Sequence, residues 1–144
     1  MPPKSRRRNY TAKDIHVSYD IRRCIHAAEC VRGLPEVFDT EKRPWIQADN
    51  APADEVAEIV MRCPTGALRF ERQDDGLAEP VPGRTTIHPV KNGPLYLHGD
   101  LTITTSEGEV LKDTRMALCR CGASNNKPFC DDSHYRIGFK ADSW

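Results

Sequence analysis

The chain has 144 residues, is 38% hydrophobic and 29% charged, and carries a formal net charge of +0 at pH 7. That length suits one ordinary domain or two small ones, and small domains with thin cores usually need disulfide or metal staples. The charge is uneven, +4 over residues 1–8, −5 over 9–79 and +1 over 80–144, and an acidic middle argues against nucleic acid as the main partner.

No run is long enough to span a bilayer, so no membrane partner is expected. The opening Met-Pro-Pro-Lys-Ser-Arg-Arg-Arg has no apolar stretch behind it and does not read as a secretory signal. The expected location is therefore cytoplasmic, where clustered cysteines signal metal or catalysis rather than disulfides.

Residues 1–9 read as a basic flexible tail. Ile15, Val17 and Tyr19 then alternate with polar residues, which predicts a strand. Residues 24–33 read as a loop and a short helix, with Gly33 as its C-terminal cap. Residues 44–46 form a short extended piece. A stronger helix follows. Asn50 is placed to cap it, Pro52 suits its first turn, and Asp54 and Glu55 favour its N-terminal dipole. Val56, Ile59, Val60 and Cys63 share one apolar face, and Pro64 stops the helix. Ala67, Leu68 and Phe70 supply a closing strand, so residues 10–72 read as a β-α-β-α-β domain.

Residues 73–83 hold Asp74-Asp75-Gly76 and Pro80-Val81-Pro82-Gly83, turn-rich sequence expected of a linker. In residues 84–144 the segments 85–88, 95–98, 101–104 and 110–111 are predicted as short strands. Gly99-Asp100 and residues 106–108 separate them as turns. The expected class is α+β: a small α/β domain followed by a small β-rich one.

The six cysteines split evenly. Cys24, Cys30 and Cys63 fall in the first half, Cys119, Cys121 and Cys130 in the second, and the split points to two metal sites. Cys119 and Cys121 are two apart, so an extended loop can aim both at one metal. Cys130 and His134 are four apart, so one helical turn can aim both at a second. The same four residues could hold one zinc, since Cys3His is a known zinc set, although Cys-x-Cys is tighter than the usual zinc spacing.

Cys119, Cys121, Ser124, Pro128, Cys130, Asp131, Ser133 and His134 together resemble the CDGSH-type (mitoNEET-like) iron–sulfur domain. The resemblance covers about the last third of the chain. It implies a [2Fe–2S] cluster held by Cys119, Cys121, Cys130 and His134. One position departs: Asp132 stands where that family has glycine. If the position is left-handed, aspartate is one of the few tolerable replacements. A neutral imidazole in place of a thiolate should raise the reduction potential, and its protonation would link acid to cluster release.

Cys24, Cys30 and the pair Cys63-Pro64, with their surroundings over residues 15–72, resemble a divergent mono-cluster bacterial ferredoxin. That likeness implies a small ferredoxin-like fold. The familiar run is Cys-x2-Cys-x2-Cys, and here Ala27 occupies the second cysteine position. Three thiolates match a [3Fe–4S] cluster. The family is usually of the [4Fe–4S] type, for which His26 or an exogenous ligand would have to take the fourth iron. The competing reading is that Cys24, Cys30 and Cys63 are simply buried apolar residues.

Phe38 and Trp45 read as core or cluster shielding. Arg120 and Lys127 read as tuning charges, partner contacts or ordinary surface, and His16, His88 and His98 have no partners at ligand spacing. No glycine-rich phosphate loop, nucleophile triad or open metal triad appears, so no enzyme is expected. The expected function is electron transfer by a two-cluster protein, a monomer or homodimer, whose clusters exchange electrons. Its acidic half would dock a reductase or other oxidoreductase. Cluster transfer or redox and pH sensing is the alternative, and a zinc-stapled interaction module a third.

Overall fold

A computed structural model of the protein describes residues 7–141. The chain divides into two compact units. The first runs to Cys63 and resumes over Ala67–Pro80, and the second comprises Pro64–Gly66 and the chain from Val81 onward. Of the basic tail expected over residues 1–9, residues 1–6 lie outside the described residues. Arg7, Arg8 and Asn9 are not tail but the start of a strand.

The first unit is a three-stranded antiparallel sheet in the order β1 (Arg7–Tyr10), β2 (Ile15–Asp20), β3 (Leu68–Arg72), with two helices, α1 (Glu29–Gly33) and α2 (Ala53–Met61). Strand β2 is central, pairing Val17 with both Tyr10 and Phe70. Its period of two puts Ile15, Val17 and Tyr19 on one face. Ile15 and Val17 are buried there, packed with Leu34, Val37, Phe38, Ile46, Val56, Ile59, Val60 and Leu68. The apolar face predicted for α2 is the buried one, and Cys63 follows just past the helix end, its N–H reaching the Val60 carbonyl at 3.1 Å.

The structure departs from three local expectations. Asn50 does not cap α2. It closes a 3-10 turn (Ala48–Asn50) and its side chain donates to the Glu36 carbonyl and Gln47 Oε1, both at 3.0 Å, while Pro52 holds the cap position. Gly33 is the last residue of α1 rather than its cap. A Cβ there would lie 2.6 Å from Ile59 Cδ1, the mobile end of that side chain. Residues 44–46 contribute one isolated bridge, Phe38 to Ile46, and no strand, so the β-α-β-α-β order gives way to strand, strand, helix, helix, strand.

The second unit is a separate antiparallel sheet, β4 (Thr86–Pro89), β5 (Leu95–Thr104) and β6 (Val110–Leu118), in that order, followed by a one-turn helix α3 (Ser133–Arg136). Gly99-Asp100 is not a turn. The strand continues through it with a register shift between His98 and Leu101, a bulge that turns two expected strands into one of ten residues. Glycine is needed there because a Cβ at Gly99 would lie 2.6 Å from Thr85 Oγ1 and 3.0 Å from Thr85 Cα. The unit's core is thin: Leu101, Met116 and Phe129 are its buried centre, ringed by Leu97, Ile103, Leu111 and Leu118. Together the units make a small α+β protein. Among the described residues no helix is long and apolar enough to cross a membrane.

Candidate metal centres

The second unit's site grows from the end of β6. Beyond Leu118 the chain loops out and returns antiparallel. Cys119 N–H donates to the Pro128 carbonyl at 2.8 Å, Cys130 N–H donates to Ala117 at 2.9 Å, and Leu118 bridges to Phe129. This return brings Cys130 back beside the strand end that carries Cys119. Ser124, buried, locks the loop by donating to the Phe129 carbonyl at 2.6 Å and accepting from Asn126 N–H at 3.0 Å.

Four donors then fall into two pairs. Cys119 Sγ and Cys121 Sγ are 3.8 Å apart, and Cys130 Sγ and His134 Nδ1 are 3.5 Å apart. Metal–sulfur bonds of about 2.3 Å and metal–nitrogen bonds of about 2.0 Å, at a tetrahedral angle, place two thiolates about 3.8 Å apart and a thiolate and imidazole about 3.5 Å apart. Each pair is therefore set to grip one tetrahedral metal. Cys119 and Cys121 do not join the single tight group among the described residues, Cys130, Asp132 and His134. Two metals, one per pair, fit better than one zinc. Backbone N–H groups already face the sulfurs, Gly122 to Cys119 at 3.3 Å and Ala123 to Cys121 at 3.4 Å. Burial pushes the Cys130 thiol up to about 11, opposed by the Asp132 N–H and reinforced by the charges of Asp132, Cys119 and Asp131. A bound cation would reverse that penalty.

The four donors line a shallow surface concavity walled also by Gly93, Pro94 and Arg120. Gly93 backs the imidazole: a Cβ there would stand 3.7 Å from His134 Nε2. Arg120 is a strut rather than a free charge. It donates to the Gly93 carbonyl at 3.0 Å and the Val90 carbonyl at 2.6 Å, and lies 5.5 Å over the Phe139 ring. Lys127 is exposed.

The single helical turn expected to carry both Cys130 and His134 is shorter than that. Helix α3 begins at Ser133, and Asp132 before it is left-handed at φ 72. The conformation that favours glycine is thus present at the one position where this chain departs from the pattern. Asp131 fastens the turn, accepting from Ser133 N–H at 3.0 Å, Ser133 Oγ at 2.5 Å and Asn125 N–H at 2.9 Å. Partial burial works against its charge, but the Ser133 and Asn125 hydrogen bonds and the nearby Arg136 charge outweigh this and hold the carboxyl below its usual range.

In the first unit, Cys24, Cys30 and Cys63 are near enough to Tyr19 to act on its phenol. The phenol is held protonated well above its ordinary range, by burial first, then by a hydrogen bond to Cys24 and by the charges of Cys24, Cys30 and Cys63. Its ring stands edge-on to Trp45 at 4.9 Å, and Trp45 in turn packs on Phe38 at 6.0 Å. Burial raises the Cys30 thiol to about 11, with the Val31 N–H opposing and Cys63 and Cys24 adding to the rise. The loop between Cys24 and α1 is tightly curled, with His26 at φ 58 and Ala28 at φ 65. His26 N–H faces Cys24 Sγ at 3.4 Å, and its exposed ring places Nδ1 3.9 Å from the same sulfur. Ala27 brings no donor to the second position, and Cys24, Cys30 and Cys63 are not among the tight donor groups found in the described residues. Tyr19 is the residue the sequence motifs do not reveal. Its signal was the strand alternation, which puts it on the same face as Ile15 and Val17.

His16, His88 and His98 join neither site. His88 instead lies 6.4 Å from the Tyr96 ring across the β4–β5 pair.

Two cysteine-lined sites, each in its own unit, define a protein that binds metal clusters twice. Residues 10–73 match the family described as divergent 4Fe-4S mono-cluster, and residues 92–135 match the iron-binding zinc finger of CDGSH type. The uncharacterized protein YjdI of Escherichia coli (strain K12) and its counterpart in Escherichia coli O157:H7 are each 33% identical over 66 residues, 46% of this chain and 87% of the relative. That likeness falls on the first domain. The chain belongs to the divergent 4Fe-4S mono-cluster family and carries a CDGSH-type iron-binding domain after it, and it is an iron–sulfur protein.

Proposed function

We propose that this protein transfers electrons through two clusters, a [2Fe–2S] cluster held by Cys119, Cys121, Cys130 and His134 and a [3Fe–4S] cluster held by Cys24, Cys30 and Cys63. The observation that carries the reading is the pairing in the second unit, 3.8 Å between sulfurs and 3.5 Å between sulfur and nitrogen, which is the span of two ligands on one tetrahedral metal. Bound there, the clusters supply reversible one-electron storage. The family description names four irons, but the chain offers three thiols. His26 Nδ1, 3.9 Å from Cys24 Sγ, crowds a corner that already has its ligand, which supports three irons over four.

Iron and sulfide analysis with electron paramagnetic resonance tests this. The expected result is a three-iron signal in the oxidised protein and a [2Fe–2S] signal that appears on reduction. A colourless, zinc-containing protein would overturn the whole reading, and a four-iron signal in the reduced protein would overturn the first cluster's nuclearity alone. Cluster delivery to an apo-acceptor, without reversible reduction, would make the protein a donor instead of a carrier. The exposed acids Glu29, Glu36, Glu41, Asp49, Glu55 and Glu58 support docking on a basic redox partner.

Tyr19 would tune the first cluster by donating to the sulfur of Cys24. A hydrogen bond to a ligand sulfur stabilises the more negative, reduced state. Tyr19→Phe is expected to lower the first cluster's midpoint potential by roughly 20–60 mV, the equivalent of a hydrogen bond of about 0.5–1.5 kcal/mol for one electron. Potentiometry followed by the three-iron signal reads this, with iron content unchanged. An unmoved potential would confine Tyr19 to packing.

A further inference from the structure

We propose that Asp132 is a reserve ligand of the second site, able to take the metal position shared by Cys130 and His134 when the imidazole is absent. The inference rests on the [2Fe–2S] reading above. Its geometric basis is specific to this chain. Cys130, Asp132 and His134 each offer one ligand atom, and the three atoms lie within 4.8 Å of one another. Cys130 and His134 are buried, and Asp132 is half-buried beside them.

The backbone argues in the same direction. Asp132 is left-handed at φ 72 and ψ 5, in the region that favours glycine, so a side chain is tolerated here at a cost in strain. The cap of α3 carries no side-chain hydrogen bond, and Asp131 rather than Asp132 receives the Ser133 N–H. This position brings the carboxylate within 4.8 Å of a sulfur and a nitrogen already set 3.5 Å apart for one tetrahedral metal.

The exchange conserves atoms and electrons. The metal–nitrogen bond to His134 is lost, a metal–oxygen bond to Asp132 forms from a carboxylate lone pair, and no oxidation state changes. Carboxylate is anionic where imidazole is neutral, so the exchanged site gains one negative charge and its reduction potential falls.

The test uses the full chain in imidazole-free buffer and reads the [2Fe–2S] signal of the reduced protein, which the first cluster does not contribute to. His134→Ala is expected to keep most of that signal, with a lower midpoint potential and no nitrogen coupling in pulsed spectra. His134→Ala combined with Asp132→Gly should hold about tenfold less cluster or worse, and added imidazole should restore it. Asp132→Gly alone should stay loaded. A His134→Ala chain that loads only with imidazole overturns the proposal, and so does a double variant that stays loaded without it. If His134→Ala loads under neither condition, His134→Gln is scored in the same way, and failure there also counts against the proposal. Absence of the [2Fe–2S] signal from the unaltered protein sinks the underlying reading, and the reserve ligand with it.

Discussion

Cys130→Ala is expected to empty the second site, remove about two iron atoms per chain, and destabilise the second unit far more than a one-atom truncation normally would. The thiol is buried, and the residue stands at the junction of the returning loop and β6 through its N–H to Ala117. Three buried apolar side chains, Leu101, Met116 and Phe129, are the centre of that unit's core. A core this thin leaves much of the folding free energy to the metal, and structural metal sites contribute on the order of 10 kcal/mol. The first unit should be spared, because Cys24, Cys30 and Cys63 all belong to it and share no ligand with the second. Urea melts should therefore show one transition moving to much lower denaturant and one holding still. The three-iron signal should persist while the [2Fe–2S] signal disappears. A variant that retains the second signal would show that three donors suffice and would remove Cys130 from the ligand set.

The ligands were legible in the sequence because thiolate and imidazole donors at short spacing are a one-dimensional signal. Cys119 with Cys121, and Cys130 with His134, can be paired by counting residues, and the structure gives each pair a metal's span. The left-handed Asp132 was legible for a similar reason: a pattern that holds glycine at one position announces a backbone constraint there. Strand β2 and helix α2 were legible because their apolar periods, 2 and 3.6, are unambiguous over their lengths.

What the sequence hid depends on which groups meet in three dimensions. Gly99-Asp100 carries the chemistry of a turn, yet a bulge accommodates the same residues and keeps β5 paired with β6 on both sides. Only the neighbouring Thr85, close enough to exclude a Cβ, explains why glycine stands there. Gly33 misled because helix-end glycine suggests a cap, whereas here it is the last residue of α1 and Leu34 holds the cap position. Asn50 is a good cap by type, but Glu36 and Gln47 claim its amide, and no local rule foresees a carbonyl fourteen residues away. The strut role of Arg120 was not legible because its partners, the carbonyls of Val90 and Gly93, have no side-chain signature at all. Tyr19 stands in β2, far in sequence from Cys63, and only the paired sheet and helix α2 make them neighbours.

Phe38→Ala is the complementary prediction for the first unit. Phe38 is 1% exposed and sits in the centre of the buried cluster. Deleting a buried phenylalanine side chain costs about 3–5 kcal/mol, through lost transfer free energy and the cavity left behind. Domains of this size have about 5–15 kcal/mol in total, so the loss removes a large share. Trp45 packs against both Phe38 and Tyr19, and Tyr19 in turn neighbours Cys24. The cavity should therefore loosen a chain of contacts that ends at the first site. Two effects are expected together: a urea transition of the first unit at clearly lower denaturant, and faster bleaching of the three-iron signal in air at a temperature where the unit is still folded. Val110→Ala, at a side chain 56% exposed on the second sheet, should change stability by less than about 0.5 kcal/mol and leave both cluster signals alone. If Phe38→Ala lost the expected stability but bleached no faster than the unaltered protein, Phe38 and Trp45 would be core alone and cluster shielding would be excluded.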